Sequence, residues 1–295
     1  MITTKLFGGM ANQMFQYALG RHLALIHKTE LMLDISWFDY APQSPIRKYD
    51  LHHFNINAAI APKQEINKNI KAPQNRLNYL FSRLLIRLNL FQGLNINEQH
   101  FHFNPAVLNA PNNVFINGNW QSEKYFKNIE KIIKNDLTLK TAPNQLNQDI
   151  LSKINNSDQT VSIHIRRGDY IHHKSKNQFH GVCSVDYYKK AVEILNSKLE
   201  NPFFYIFSDD ISWCRENLDF IDSKFFVDIN DDNTNYEDLR LMSNCKHNII
   251  ANSSYSWWGA WLNNNPEKIV ISPQKWFYST KTNTKDLIPE KWIKL

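Results

Sequence analysis

Five short runs of β-branched or aromatic residues recur through the second half of this 295-residue chain, at 160–165, 203–207, 224–228, 247–251 and 268–271. Helical stretches at 184–199, 209–218, 236–245 and 254–263 fall among them. Strands separated by helices close into a parallel sheet through right-handed crossovers. Ligands of such a sheet gather at the carboxyl ends of its strands, so the alternation also says where to look for function. The first half opens the same way, with a strand over 2–7, a helix over 12–27 and a strand over 30–35. It then turns irregular and Asn- and Pro-rich until a strand at 114–116 and a helix near 122–136. Residues 141–159 are polar and read as the boundary between two α/β domains, 1–150 and 151–295.

Hydrophobic residues make up 42% of the chain and charged residues 21%, which excludes disorder and allows two sizeable cores. No apolar run approaches the ~18 residues of a membrane span. Cys183, Cys214 and Cys245 lie far apart with no CxxC pair, as expected of free thiols in a reducing compartment. Met1 leads directly into the first strand, with no room for a signal peptide. A cytoplasmic protein is expected, or one peripheral on the cytosolic face of the inner membrane. The net charge of +6 lies wholly in residues 1–150, with 16 Lys+Arg against 10 Asp+Glu; residues 151–295 balance at 18 each. No nucleic-acid-binding motif accompanies it, so nucleic acid is not the expected partner. The stretch 76–91 reads as an amphipathic helix flanked by Arg76, Arg83 and Arg87. A core-packed helix is the plainer reading, and a peripheral contact with anionic lipid is the alternative.

Four strand-to-helix junctions carry the polar residues of interest. In the first, FGGMANQMFQYALG (7–20), Gly8 and Gly9 sit between a strand and a helix. Such a turn brings backbone N–H groups to an anionic ligand, or simply lets Asn12 cap the helix. In SIHIRRGDY (162–170), two arginines follow a β-branched strand. Adjacent guanidinium groups there call for an anion such as phosphate, or for an interdomain salt bridge. Neighbouring residues on extended chain face opposite ways, so one arginine is expected to meet ligand and the other protein. Arg166 is the one that shares a face with His164. The third junction holds Ser208, Asp209 and Asp210, suited to a metal, a ribose or base edge, or helix capping. The fourth, ANSSYSWWGAWLN (251–263), offers Asn252, Ser253, Ser254 and Ser256 as caps or as donors to phosphate. Trp257, Trp258 and Trp261 follow at helical spacing and read chiefly as core. Zinc-type ligand spacings, GxSxG, HExxH and Asp-x-Asp are all absent from the sequence.

Taken in order, GGMANQMFQYA (8–18), NWQSEKYF (119–126), SIHIRRGDY (162–170), HGVCS (180–184), FSDD (207–210) and NSSYSWWGAWL (252–262) resemble the bacterial α-1,2-fucosyltransferases. The resemblance implies a GT-B-like fold, two Rossmann-like domains facing across a cleft. The first would be an acceptor-side domain and the second a GDP-fucose-binding one. It further implies inverting transfer from GDP-fucose to the 2-hydroxyl of a galactose residue on a glycan, in surface polysaccharide synthesis on an acceptor that can be lipid-linked. No metal and no cofactor beyond the donor substrate are expected. Arg166 would hold the donor phosphates, and His164, Ser208 and Asp209 would lie with the nucleotide. The segment Asn252, Ser253, Ser254 and Ser256 would lie by its phosphates. Asn12 and Gln13 would reach the donor, with Asn12 at the reaction centre. A general base is not evident: Asp169 is one candidate, although it can equally orient Arg167. The family's Gly before Asn-Gln is Ala11 here, which requires helical or extended backbone at that point. A fucosyltransferase of another linkage or acceptor, or a glycan-binding protein without catalysis, would be the alternatives.

Overall fold

A computed structural model describes residues 1–41, 47–63, 94–168, 181–279 and 281–295. The chain divides into two compact units, Met1–Lys140 with Asn283–Leu287, and Thr141–Thr282 with Ile288–Leu295. Asp169, the helical stretch 76–91 and the first residue of the HGVCS segment lie outside the described residues.

In the first unit, β1 (Ile2–Lys5), β2 (Leu31–Asp34), β3 (Ala59–Ile60), β4 (Leu94–Asn97) and β5 (Val114–Asn117) form one parallel sheet, in the order β3-β2-β1-β5-β4. The register aligns Ile2 with Leu31 on one side and with Val114 on the other. Helix α1 (Met10–Ile26) follows β1 directly and buries Met14, Phe15, Ala18, Leu19 and Leu23. Ala11 lies inside this helix, on the ordinary backbone that its side chain demands. The sequence-predicted helix over 122–136 resolves into 3-10 turns at Glu123–Tyr125 and Lys127–Ile129, followed by α2 (Glu130–Asp136). Strands β3 and β4 escape sequence reading because they are short and carry little alternation.

The second unit opens with α3 (Gln145–Asn155), capped by Asn144, whose Oδ1 accepts from Asn147 N at 3.0 Å. Its Asn147 donates to Asn230 Oδ1 at 2.9 Å, which ties the helix to this unit. The boundary therefore falls between 140 and 141 rather than at 150, a position inside α3. The polar composition read as a linker is the solvated face of a helix whose buried side chains are Asn147, Ile150 and Ile154. The return of 283–287 to the first unit was equally illegible. Asp286 is held there by Ser122 Oγ, donating to its carbonyl at 2.7 Å, and by Lys124 Nζ, 2.6 Å from its carboxylate.

Beyond α3 come β6 (Thr160–Ile165), α4 (Val185–Asn196), β7 (Phe203–Ser208), α5 (Ile211–Asn217), β8 (Lys224–Val227), α6 (Asn235–Asn244), β9 (His247–Ile249), α7 (Ser254–Leu262), β10 (Val270–Ser272) and β11 (Ile293–Lys294). The strands form a parallel sheet in the order β11-β10-β9-β6-β7-β8. Every residue of β6 is buried, as expected of a central parallel strand covered on both faces. Val161, Ile163 and Ile165 join Tyr188, Ala191, Leu195, Ile206 and Ile249 in the core.

Candidate active site

Each sheet has one strand from which the chain departs in both directions. In the second sheet it is β6, between β7 and β9; in the first it is β1, between β2 and β5. A crevice opens at the carboxyl end of such a strand, where the flanking connections leave on opposite faces. Three of the four polar junctions fall at the β6 end, and the fourth falls at the β1 end.

At the β6 end both arginines have carboxylate partners. Arg166 Nη1 lies 3.0 Å from Asp209 Oδ2, and Arg167 Nε lies 3.4 Å from Asp210 Oδ2. Asp209 also accepts from the backbone N–H of Arg167 at 2.9 Å. A side chain on Gly168 would bring its Cβ within 2.7 Å of Asp209 Oδ2, so glycine is what lets the carboxylate approach this turn. The guanidinium of Arg167 stacks over the Trp213 ring at 3.7 Å, which gives Arg167 the protein-facing part. Ser208 Oγ accepts from Asp210 N at 2.9 Å, and Asp210 Oδ1 caps α5 by accepting from Trp213 N at 3.2 Å. The capping residue of the three is thus Asp210. Each arginine thus meets an aspartate, Arg166 as well as Arg167. The Arg166 side chain is 26% exposed.

His164 lies two residues before Arg166 and is 5% exposed. Burial, and secondarily the Arg166 charge, push its imidazole down to about 3, so it is neutral at physiological pH. Among the described residues its buried Nδ1 has no hydrogen-bond partner, and its ring stands 5.4 Å from that of Tyr255. Tyr255 OH donates to the carbonyl of Asn235, at the head of α6. Asp238, one turn on, accepts from Asn230 Nδ2 at 2.7 Å, and burial pushes its carboxyl up to about 7. Tyr255 lies within the NSSYSWWGAWL stretch, whereas Asp238 carries no sequence signal of its own beyond membership in a helical stretch.

The serine-rich junction after β9 divides by role. Ser253 Oγ caps α7, accepting from Tyr255 N at 3.3 Å, and Ser254 occupies the first helical position. Ser256 is 1% exposed and donates to the Ser253 carbonyl at 3.3 Å. Asn252, 3% exposed, donates to the carbonyls of Gly181 at 3.2 Å and Trp276 at 3.1 Å. Asn252 and Ser256 thus hydrogen-bond to the backbone around them. Trp257, Trp258 and Trp261 are buried against one another, and Trp292 joins them 5.5 Å from Trp257. They are core, as their spacing indicated.

At the β1 end, Gly8 takes φ of +77°, and a Cβ there would meet Asn12 Nδ2 at 2.7 Å, so the turn excludes any larger residue. Gly9, not Asn12, is the cap of α1. The Asn12 side chain instead accepts from Gln121 Nε2 at 2.9 Å, a bond between the junctions after β1 and β5. Gln121 belongs to the NWQSEKYF stretch, but nothing in the sequence pairs it with Asn12. Glu98 shapes the same turn by accepting from the backbone of Asn119 at 2.8 Å and of Trp120 at 3.0 Å. Gln13 is fully buried: its Nε2 donates to the carbonyls of Gly8 at 3.2 Å and Lys48 at 2.8 Å, and its Oε1 accepts from Asp50 N at 2.9 Å. These bonds make Gln13 an internal staple between the Gly8 turn and the 48–50 segment. Among the described residues no group of three or more His, Cys, Asp or Glu is arranged to hold a metal ion, and no helix is long and apolar enough to cross a membrane.

Known proteins share both the sequence and the architecture. The α-1,2-colitosyltransferase of Escherichia coli is 33% identical over 305 residues, covering 100% of this chain and 99% of its own length. The O-antigen biosynthesis glycosyltransferase WbnK of Escherichia coli is 33% identical over 310 residues, 98% of this chain and 99% of the relative. Human galactoside α-(1,2)-fucosyltransferase 1 is 26% identical over 145 residues, 47% of this chain and 40% of that protein. Among solved structures, a GDP complex of Arabidopsis thaliana FUT1 superposes with a TM-score of 0.54 at 9% identity, over 91% of this chain and 69% of that one. The α-1,6-fucosyltransferase NodZ soaked with GDP-fucose gives 0.50 at 12% identity, over 88% and 92%. The fold is thus the GT-B-like pair of parallel-sheet α/β domains. The family pattern matches residues 1–295 without a break, and so takes in every junction described above. This chain therefore belongs to glycosyl transferase family 11, and it is a glycosyltransferase.

Proposed function

We propose that this enzyme transfers L-fucose from GDP-fucose to the 2-hydroxyl of a galactose residue, with inversion, during assembly of a surface polysaccharide such as O-antigen. The observation that carries the reading is Arg166, set at the β6 switch point in a family whose related members make α-1,2 linkages. Breaking the bond between the sugar's anomeric carbon and the diphosphate leaves a growing negative charge on oxygen. A guanidinium already fixed by Asp209 meets that charge with little reorganisation. Ser253 and Ser254, at the head of α7, stand on the same rim for the phosphates, and His164 offers its unpartnered Nδ1 to the nucleoside. Asn12, oriented by Gln121, is assigned to the acceptor and the transferred sugar.

A second reading concerns the donor sugar. Colitose is fucose without its 3-hydroxyl, and a relative matching the whole chain transfers colitose. Incubation with GDP-fucose, GDP-colitose and UDP-galactose, each with a panel of galactosides, separates these readings once the product linkage is assigned by NMR. A 1→2 fucosyl product supports the first reading, a colitosyl product the second. Glycan binding indifferent to GDP, with no product from any donor, would leave a lectin. Transfer is expected to persist in excess EDTA, because arginine rather than a divalent cation is assigned to the diphosphate. Loss of transfer on chelation, restored by Mg²⁺ or Mn²⁺, would overturn that assignment.

A further inference from the structure

Inverting transfer needs an acceptor for the hydroxyl proton, and the carboxylates of the first unit differ sharply in what they are free to do. Three aspartates there are buried: Asp34, Asp50 and Asp136. Asp136 accepts from Tyr17 OH at 2.6 Å and from Arg21 Nε at 2.9 Å. Asp34 accepts from the backbone of Ser36 at 2.9 Å. Glu98, half-buried on the same sheet, spends both oxygens on the 119–120 turn. Asp50 is 7% exposed, yet among the described residues no donor reaches its carboxylate.

The position of Asp50 is specified as closely as its isolation. Its backbone N–H is gripped by Gln13, and the same carboxamide reaches Lys48 and Gly8. A Cβ on Gly9 would stand 3.5 Å from Arg47 Nη1, so the 47–50 segment runs along the first turn of α1. That turn also carries Asn12. A fully buried glutamine thus ties an unpartnered carboxylate to the switch point of the first sheet.

We infer that Asp50 is the general base of the transfer, taking the proton of the acceptor hydroxyl as that oxygen bonds to the anomeric carbon. The electron pair of the breaking glycosyl–phosphate bond leaves on the nucleoside diphosphate, so the products are glycoside, diphosphate and a protonated Asp50. This inference rests on the transferase reading above. Burial pushes the Asp50 carboxyl up to about 6, opposed in decreasing measure by Lys48, His52 and Arg47. All three opposing charges lie on its own segment, and α1 contributes the neutral Gln13. A base with that affinity for protons is ionised at neutral pH and still able to accept one. The elevation also fixes the sign of its effect on stability. The folded protein binds this proton more tightly than the unfolded chain, so stability is greatest while Asp50 is protonated and falls as pH rises through about 6.

The test compares wild type, Asp50→Asn and Asp50→Glu in the full chain, with the donor and acceptor that wild type turns over. Asp50→Asn should lose about 10²–10⁴-fold in kcat. Its GDP affinity should stay within about twofold. Its Tm at pH 7.5 should be equal to or above that of wild type, since a buried charge is gone. Wild-type kcat should fall on an acid limb near pH 6, the residual Asn activity should lack that limb, and Asp50→Glu should recover part of the loss. A kcat for Asp50→Asn within about threefold of wild type, or an unchanged acid limb, would overturn the inference. So would an activity loss matched by an equal loss of folded protein. Failure of the donor reading shows separately, as wild type making no fucosyl product.

Discussion

Replacing Arg166 with alanine should lower turnover by about three orders of magnitude, close to 4 kcal/mol of transition-state stabilisation. The size follows from where the charge appears. In the proposed ground state a donor diphosphate would share Arg166 with Asp209, whose carboxylate is 3.0 Å from Nη1. As the sugar departs, a further negative charge grows on the leaving oxygen, and the guanidinium answers it without moving. Loss in kcat should therefore exceed loss in donor affinity. Arg166→Lys should recover a minor part, because one ammonium cannot hold Asp209 and a phosphate oxygen with the same planar fork. Steady-state kinetics with calorimetric GDP binding checks this. Turnover of Arg166→Ala within tenfold of wild type, with the fold intact, would remove Arg166 from the mechanism.

The other large effect is on stability. Trp257→Ala should cost about 3–5 kcal/mol, the usual range for emptying a buried tryptophan site. Trp257 is fully buried and packs against Trp258, Trp261 and Trp292 together. The surrounding rings cannot close the gap, because each is itself held in a packed core. The melting temperature of the second unit should drop by about 10 °C. GDP affinity measured well below the transition should stay within about twofold. A tryptophan that stacked on a sugar or base would show the reverse pattern, with affinity lost and melting preserved.

Ser208, Asp209 and Asp210 show why the site was only partly legible. Their grouping after a strand is visible in sequence, and helix capping there follows from residue type alone. Which aspartate caps and which meets Arg166 depends on the turn at Gly168, and therefore on how β6 and β7 stand in register, with Ile165 opposite Ser208. Asn252 and Gln13 illustrate the opposite outcome. Both are polar residues at motif positions, and both are consumed by backbone groups distant in sequence. A carboxamide has the same donors and acceptors whether it serves a ligand or a loop, so residue type cannot distinguish the two uses.

The alternation of strand and helix, the buried β6 and the tryptophan core were determined by the sequence itself, because local periodicity and burial dictate them. So was the placing of Arg166 at a strand end and of Asn12 at a strand-to-helix junction, since Arg166 directly follows a strand-forming run and Asn12 follows the Gly8–Gly9 turn after another. The tertiary structure alone decided the strand order that makes β1 and β6 switch points and the boundary at 140. It decided too the return of 283–287, the Asn12–Gln121 bond and the absence, among the described residues, of a donor to the Asp50 carboxylate. These depend on contacts between segments far apart in the chain. Whether a charge finds a partner is a property of the space around it, and no local pattern of residues records that space.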